Sequence, residues 1–146
     1  SWEIISVRDD TNGWPILHAA DYSNGKFYVW TIPDNFIDLY ILPEPVLNRL
    51  RQIIAGDLKV SIEGPGEVSL MVYDNNSCVV ESFLDEEVKL KIILDPKFTR
   101  IENVANGVKI DGTLREAPSF RNRKFGKDAM VFEVTLKPHS FKAFKF

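Results

Sequence analysis

Hydrophobic and polar residues alternate with a period of two through most of the chain after residue 56. Such alternation predicts β-strands with one buried and one solvated face. Turn signals separate seven or eight short strands within about 90 residues, an arrangement typical of an antiparallel, immunoglobulin-like β-sandwich. The positions expected to face the core of this sandwich are Leu58, Val60, Ile62, Val68, Leu70, Val72, Leu90, Ile92, Phe132 and Val134.

The first part of the chain carries shorter strand signals. Residues 2–7 are expected to form a strand, and two further strand-like runs, 16–22 and 26–31, flank Ser23-Asn24-Gly25. Asn-Gly is a strong hairpin signal because both residues tolerate the positive φ of a tight turn. The sequence therefore predicts an N-terminal strand followed by a hairpin.

One short amphipathic helix is expected over residues 45–55. Pro43 and Pro45 suit the first turn of a helix, and Gly56 is placed to take a positive φ after the last turn. The apolar residues between them recur at the spacing of one helical face. We expect that face to pack on protein and the arginines to lie in solvent or at an interdomain surface. The apolar residues are Val46, Leu50, Ile53 and Ile54, and the arginines are Arg49 and Arg51.

The period changes from helical to two at Ala55-Gly56-Asp57, where we place the domain boundary. Residues 57–146 are assigned to the sandwich, and residues 1–56 to an appendage that ends a preceding domain or forms a linker. The appendage has too few strands for an independent core, so it is expected to pack on the sandwich or on another domain. The opening Ser1-Trp2-Glu3, with neither Met nor leader, indicates a fragment of a longer protein.

Net charge limits the classes of binding partner, and cysteine content limits the kinds of structural cross-link. The net charge is −3 and the sequence pI is about 5.4, which leaves no positive field for nucleic acid or an anionic membrane. We expect neither nucleic acid nor a membrane as a partner. The basic and aromatic stretch 120–127 is accordingly interpreted as a solvated loop. The single cysteine, Cys78, excludes an intramolecular disulfide and a Cys-based zinc site.

Several stretches resemble multidomain bacterial glycoside hydrolases of the β-galactosidase type. The runs 13–18, 24–33, 38–43 and 46–51 look like the junction before their C-terminal β-sandwich. Residues 64–80 and the closing Leu136-Lys-Pro-His-Ser-Phe141 look like the sandwich itself. In that family a catalytic barrel and an amidotransferase-like domain precede the sandwich, and the catalytic glutamates lie on the barrel. The resemblance implies a non-catalytic accessory domain whose partners are the preceding domains of its parent polypeptide.

Paired carboxylates are the groups that glycoside hydrolysis requires. All the clusters lie in turn-like polar stretches, where solvated carboxylates are ordinary, so no catalytic residue is expected. His18 and His139 are interpreted as structural. Neither a metal nor a cofactor is expected, because Asp34-Asn35 and Asp74-Asn75-Asn76 lack the ligand count of a calcium loop. The carboxylate clusters are Asp9-Asp10, Asp34 with Asp38, and Asp85-Glu86-Glu87.

Aromatic residues concentrate in the first 40 positions and supply the candidates for ligand binding. Trp14, Tyr28 and Trp30 are the candidate sugar-binding residues, since flat rings stack on sugars. Large aromatic residues lie more often in a core or an interface. Two hypotheses stay open: an accessory domain that braces its parent enzyme, and a carbohydrate-binding module that uses exposed rings. A free-standing enzyme is a third and weaker reading.

Overall fold

The computed structural model describes residues 2–121, 123, 124 and 126–146. Its internal contacts divide the chain into two units, Ser1–Leu42 and Pro43–Phe146. The assignment of residues 1–56 to an appendage and 57–146 to a sandwich domain stays a prediction. Within the basic stretch 120–127, Asn122 and Phe125 lie outside the described residues.

The first unit contains the strands β1 (Trp2–Arg8), β2 (Gly13–Tyr22) and β3 (Gly25–Trp30). They form one antiparallel sheet in the order β1-β2-β3. The predicted hairpin between β2 and β3 is confirmed, but the positive φ of its turn, 53°, lies at Ser23 and not at Asn24 or Gly25 as expected. A 3-10 helix, Phe36–Ile41, follows. It was not predicted, and the Asn35 side chain caps it by accepting the N–H of Ile37 at 3.3 Å.

The second unit begins with one helix and continues as strands. The elements are α1 (Glu44–Ala55), β4 (Val60–Glu63), β5 (Val68–Tyr73), β6 (Ser77–Ser82), β7 (Val88–Leu94), β8 (Arg100–Asn103), β9 (Lys109–Asp111), β10 (Thr113–Arg115), β11 (Ser119–Phe120), β12 (Arg123–Lys124), β13 (Ala129–Leu136) and β14 (Phe141–Lys145). The main part of this unit is two antiparallel sheets, ordered β10-β13-β7-β4 and β5-β6-β14-β8-β9. Among the described residues, β11 and β12 pair with each other and with no other strand.

The core lies between the four-stranded and the five-stranded sheet, which makes the second unit a β-sandwich as predicted. Ile92 and Phe132 lie opposite each other on β7 and β13 and are fully buried. Val80 on β6 and Phe144 on β14 fill the core from the other sheet. The predicted inward positions are buried or pack against this core, with one exception. Leu58 is 58% exposed, because β4 begins only at Val60 and the alternation does not extend back to it.

The predicted helix is confirmed, and Gly56 ends it with a φ of 53°. Two expectations about its faces were wrong. Ile54 is 77% exposed, because only the Leu50 side of α1 is buried. Arg51 is not a solvent-facing residue: its guanidinium donates to the carbonyl oxygens of Gly64 and Pro65 in the turn after β4. Hydrogen bonds from Arg51 therefore connect α1 to the sandwich, although this side chain was expected to lie in solvent or at an interdomain surface.

Candidate functional site

The three aromatic candidates for sugar binding all lie in the sheet of the first unit. Tyr28 and Trp30 are two residues apart on β3, so their side chains share one face. Trp14 lies on β2 opposite Val7 of β1, beyond two register shifts in that strand pair, and is 57% exposed. The structure thus brings Tyr28 and Trp30 to a common face. Trp14 lies three positions along β2 from Leu17, the partner of Trp30, and a register shift of the β1–β2 pair falls between the two, so the alternation of β2 does not place Trp14 on that face.

A polar groove lies on the outer face of the four-stranded sheet in the second unit. The alternation that buries Leu90 and Ile92 turns Lys91 outward. Strand register then sets Lys91 between Glu63 of β4 and Glu133 of β13. We call this surface the outer-face groove and define it by Glu63, Lys89, Lys91, Arg115, Glu133 and Thr135.

The groove consists of two adjoining depressions with volumes of about 490 and 460 Å³. Both are lined by Lys91 and Glu133, which therefore form the middle of the groove. Glu44, in the first turn of α1, lines one end. Asp111 and Leu114, from the region of β9 and β10, line the other. Each volume falls within the range of about 300–1,000 Å³ that is usual for ligand pockets.

An ion pair connects the two edge strands across this face. Arg115 of β10 donates to both carboxylate oxygens of Glu63 on β4, at 2.5 and 2.9 Å. The hydrogen bonds to Glu63 raise the pKa of Arg115. Only 14% of the Glu63 side chain is exposed, so Arg115 supplies the charge compensation that this carboxylate needs. The pair stabilises the sheet, and its polar atoms are already occupied.

Lys91 and Glu133 differ from that pair. Within the part of the chain that the structure describes, their side chains make no hydrogen bond and no ion pair. They occupy facing positions on neighbouring strands, where Cβ atoms are about 4.5–5.5 Å apart. The middle of the groove therefore presents an ammonium donor beside a carboxylate acceptor, both available to a ligand.

Comparison with protein-family models matches residues 59–146 to a probable glycosyl hydrolase, C-terminal domain. The match covers more than half of the chain and contains all the strands of the sandwich. The chain belongs to this family. Comparisons with curated proteins and with solved structures find no match.

Two of the carboxylate clusters named from the sequence show their surroundings clearly: Asp9 lies in the first unit, outside the matched residues, and Asp85 lies within them. Asp9 accepts the backbone N–H groups of Thr11 and Asn12, and these hydrogen bonds lower its pKa. A general acid in glycoside hydrolysis needs the opposite shift. The Asp85 side chain is 98% exposed and lies 2.7 Å from Nε2 of His139. Neither carboxylate has the burial that a catalytic acid requires.

Across residues 2–121, 123, 124 and 126–146, no three His, Cys, Asp or Glu side chains converge as metal ligands would. No helix in the described part of the chain combines the length and apolarity that crossing a membrane requires.

Sequence reasoning did not identify the outer-face groove. The alternation in β7 shows that Lys89 and Lys91 face away from the core, and that signal was visible. The positions of Glu63 and Glu133 beside Lys91 depend on strand register, which pairs Lys91 with one residue 28 positions before it and another 42 positions after it. Periodicity along one strand carries no information about that register.

Proposed function

We propose that this glycosyl hydrolase C-terminal domain is a non-catalytic accessory part of a larger carbohydrate-active enzyme, in which it braces the other domains. The observation that carries the proposal is the family match, since a C-terminal domain belongs to a longer polypeptide. The solvated positions of Asp9 and Asp85 support a role without catalysis. The partners proposed for the chain are the preceding domains of its parent polypeptide.

Exposed apolar side chains on the 3-10 helix of the first unit support an interdomain role. Phe36, Ile37, Tyr40 and Ile41 are each more than half exposed. A six-residue 3-10 helix has no stability of its own to offset this exposure. Contiguous apolar surface of this kind marks interaction sites in soluble proteins. A neighbouring domain of the parent enzyme would cover it.

The test compares the same substitution in two settings. Ile37→Ser and Ile41→Ser are introduced into the intact parent enzyme and into the chain by itself. In the chain these side chains already face solvent, so we expect its melting temperature to stay unchanged. In the parent we expect a lower melting temperature and lower soluble yield, with kcat of the folded fraction preserved. A parent enzyme that loses no stability with either substitution would refute the interdomain role.

A second candidate is carbohydrate binding through the exposed aromatic residues. The exposure of Trp14 and the common face of Tyr28 and Trp30 favour it. Saturable binding of an oligosaccharide that is lost on Trp14→Ala or Trp30→Ala would support this function. Binding unaffected by both substitutions would exclude it.

A further inference from the structure

We infer that the outer-face groove binds a segment of a neutral oligosaccharide through Lys91 and Glu133. The inference rests on the proposed function, because membership in a carbohydrate-active enzyme makes oligosaccharide the natural ligand class. It differs from the aromatic candidate in both place and chemistry. The groove lies on the sandwich of the second unit, and its central groups are charged rather than aromatic.

Availability of polar atoms is the first argument. The Glu63 carboxylate is occupied by Arg115, whereas Lys91 and Glu133 keep their donors and acceptors free within the described residues. A sugar hydroxyl donates one hydrogen bond and accepts others. A hydroxyl between Lys91 and Glu133 can therefore accept from the ammonium and donate to the carboxylate, and both hydrogen bonds would be charge-assisted.

The charge balance of the groove is the second argument. Three cationic side chains, Lys89, Lys91 and Arg115, line it together with three anionic ones at Glu44, Glu63 and Glu133. Asp111, at one end, is paired with Arg100. The charges at the centre cancel, so the groove has no net field to attract a polyanion. A ligand that carries many hydroxyls and no charge fits such a lining best.

The shape of the groove is the third argument. Two depressions that share Lys91 and Glu133 form an elongated surface along the sheet rather than one closed pocket. An elongated surface suits a chain of sugar units, with one unit held at the centre and its neighbours on either side. Thr135 and Lys89, opposite each other in the β7–β13 pair, offer further polar contacts beside the central unit.

The experiment is a titration of the isotopically labelled chain followed by backbone amide chemical shifts. The probes are cellohexaose, xylohexaose, maltohexaose and β-1,4-galactohexaose. We expect at least one of them to cause saturable shifts centred on residues 89–91 and 133–135. Lys91→Ala and Glu133→Ala should each weaken that binding about tenfold, as expected for loss of one charge-assisted hydrogen bond.

Matched controls come from the other sheet. Lys109 and Glu102 also form a lysine and glutamate pair on neighbouring strands, at 3.9 Å, and lie outside the groove. Lys109→Ala and Glu102→Ala should leave the affinity unchanged. Glu133→Gln retains the side-chain length and shows whether the negative charge is needed. Lys91→Gln, whose side chain is one atom shorter than that of lysine, replaces the ammonium by a neutral amide donor. The amide spectrum of each variant verifies that the sandwich is folded.

Each contrary result overturns the inference in a recognisable way. Absence of shifts with all four probes overturns it, and so does binding that survives both Lys91→Ala and Glu133→Ala. Shifts confined to Trp14, Tyr28 and Trp30 would move sugar binding to the first unit. None of these results bears on the bracing role, which is measured by stability of the parent enzyme. The two proposals can therefore fail separately.

Discussion

Removal of the Arg51 side chain should destabilise the second unit by more than an exposed arginine usually contributes. Arg51 donates to two backbone carbonyls, Gly64 O and Pro65 O, the second at 2.7 Å, and also to Oδ1 of Asn48 at 3.2 Å. That same Asn48 oxygen accepts the Gly64 N–H at 2.9 Å. The helix and the turn after β4 are thus joined by a connected set of hydrogen bonds.

The magnitude follows from the number and type of these bonds. A hydrogen bond to a charged group contributes about 1.5–3 kcal/mol net. Arg51 makes two such bonds to carbonyls, but the turn is only partly buried and water replaces some of what is lost. We therefore expect Arg51→Ala to lower the free energy of unfolding by about 2–4 kcal/mol. Arg51→Lys should recover little of this, because an ammonium lacks the planar fork that reaches two carbonyls.

The assay is urea unfolding followed by far-ultraviolet circular dichroism, together with hydrogen exchange at the Gly64 amide. Tryptophan fluorescence is unsuitable, since Trp2, Trp14 and Trp30 all lie in the first unit. Arg49→Ala is the matched control. Arg49 is exposed on the same helix, and among the described residues its side chain donates to Gln52 alone, so about 0.5 kcal/mol or less is expected. If Arg51→Ala lowers the free energy of unfolding by no more than Arg49→Ala does, the hydrogen bonds of Arg51 between α1 and the turn after β4 do not contribute to stability.

Three further substitutions test the core of the sandwich. Phe132→Ala should lower the free energy of unfolding by about 3–5 kcal/mol in urea titrations, because the ring is fully buried; a loss below 1 kcal/mol would contradict its place in the core. Gly112→Ala should cost about 1–3 kcal/mol in the same assay, since a Cβ there would approach the Phe132 ring to 2.8 Å, and an unchanged midpoint would disprove this close approach. Burial raises the pKa of the Cys78 thiol to about 12. The thiol of the unfolded chain ionises at a lower pH than the buried thiol. The free energy of unfolding should therefore fall as the pH rises above about 8.5, by up to about 1.4 kcal/mol per pH unit. Cys78→Ala should remove this pH dependence, which is measured as the urea midpoint at each pH. Equal pH slopes in the two proteins would show that the thiol is not buried.

Alternation along the strands predicted which side chains face the core, but not where a strand begins or which side of the helix is buried. The inward positions of β7 and β13 followed from alternation, because two-residue periodicity is a direct consequence of strand geometry. Leu58 was misplaced because periodicity does not mark where β4 begins. Ile54 and Arg51 were misplaced because the width of the buried face of α1 depends on what packs against it, and the partner of Arg51 is a turn 13 residues away.

The candidate sites show the same difference between a local pattern and a contact set by topology. Trp14, Tyr28 and Trp30 were named as candidate sugar-binding residues, and the spacing of Tyr28 and Trp30 on β3 places those two on one face. The position of Trp14 relative to them does not follow from spacing, because a register shift of the β1–β2 pair lies between Trp14 and the partner of Trp30. The pairing of Arg115 with Glu63, 52 residues apart, joins opposite edges of a sheet. Contacts of that kind are set by the whole topology rather than by a local pattern.

The most direct test of the central claim is a hydrolysis assay of the purified chain alone. A non-catalytic accessory domain should release no aglycone from a panel of aryl glycosides above the rate in buffer, at any pH at which the chain is folded. The intact parent enzyme, assayed in parallel, should hydrolyse at least one member of the panel. Turnover by the chain alone that a single Asp or Glu substitution within it abolishes would contradict the account.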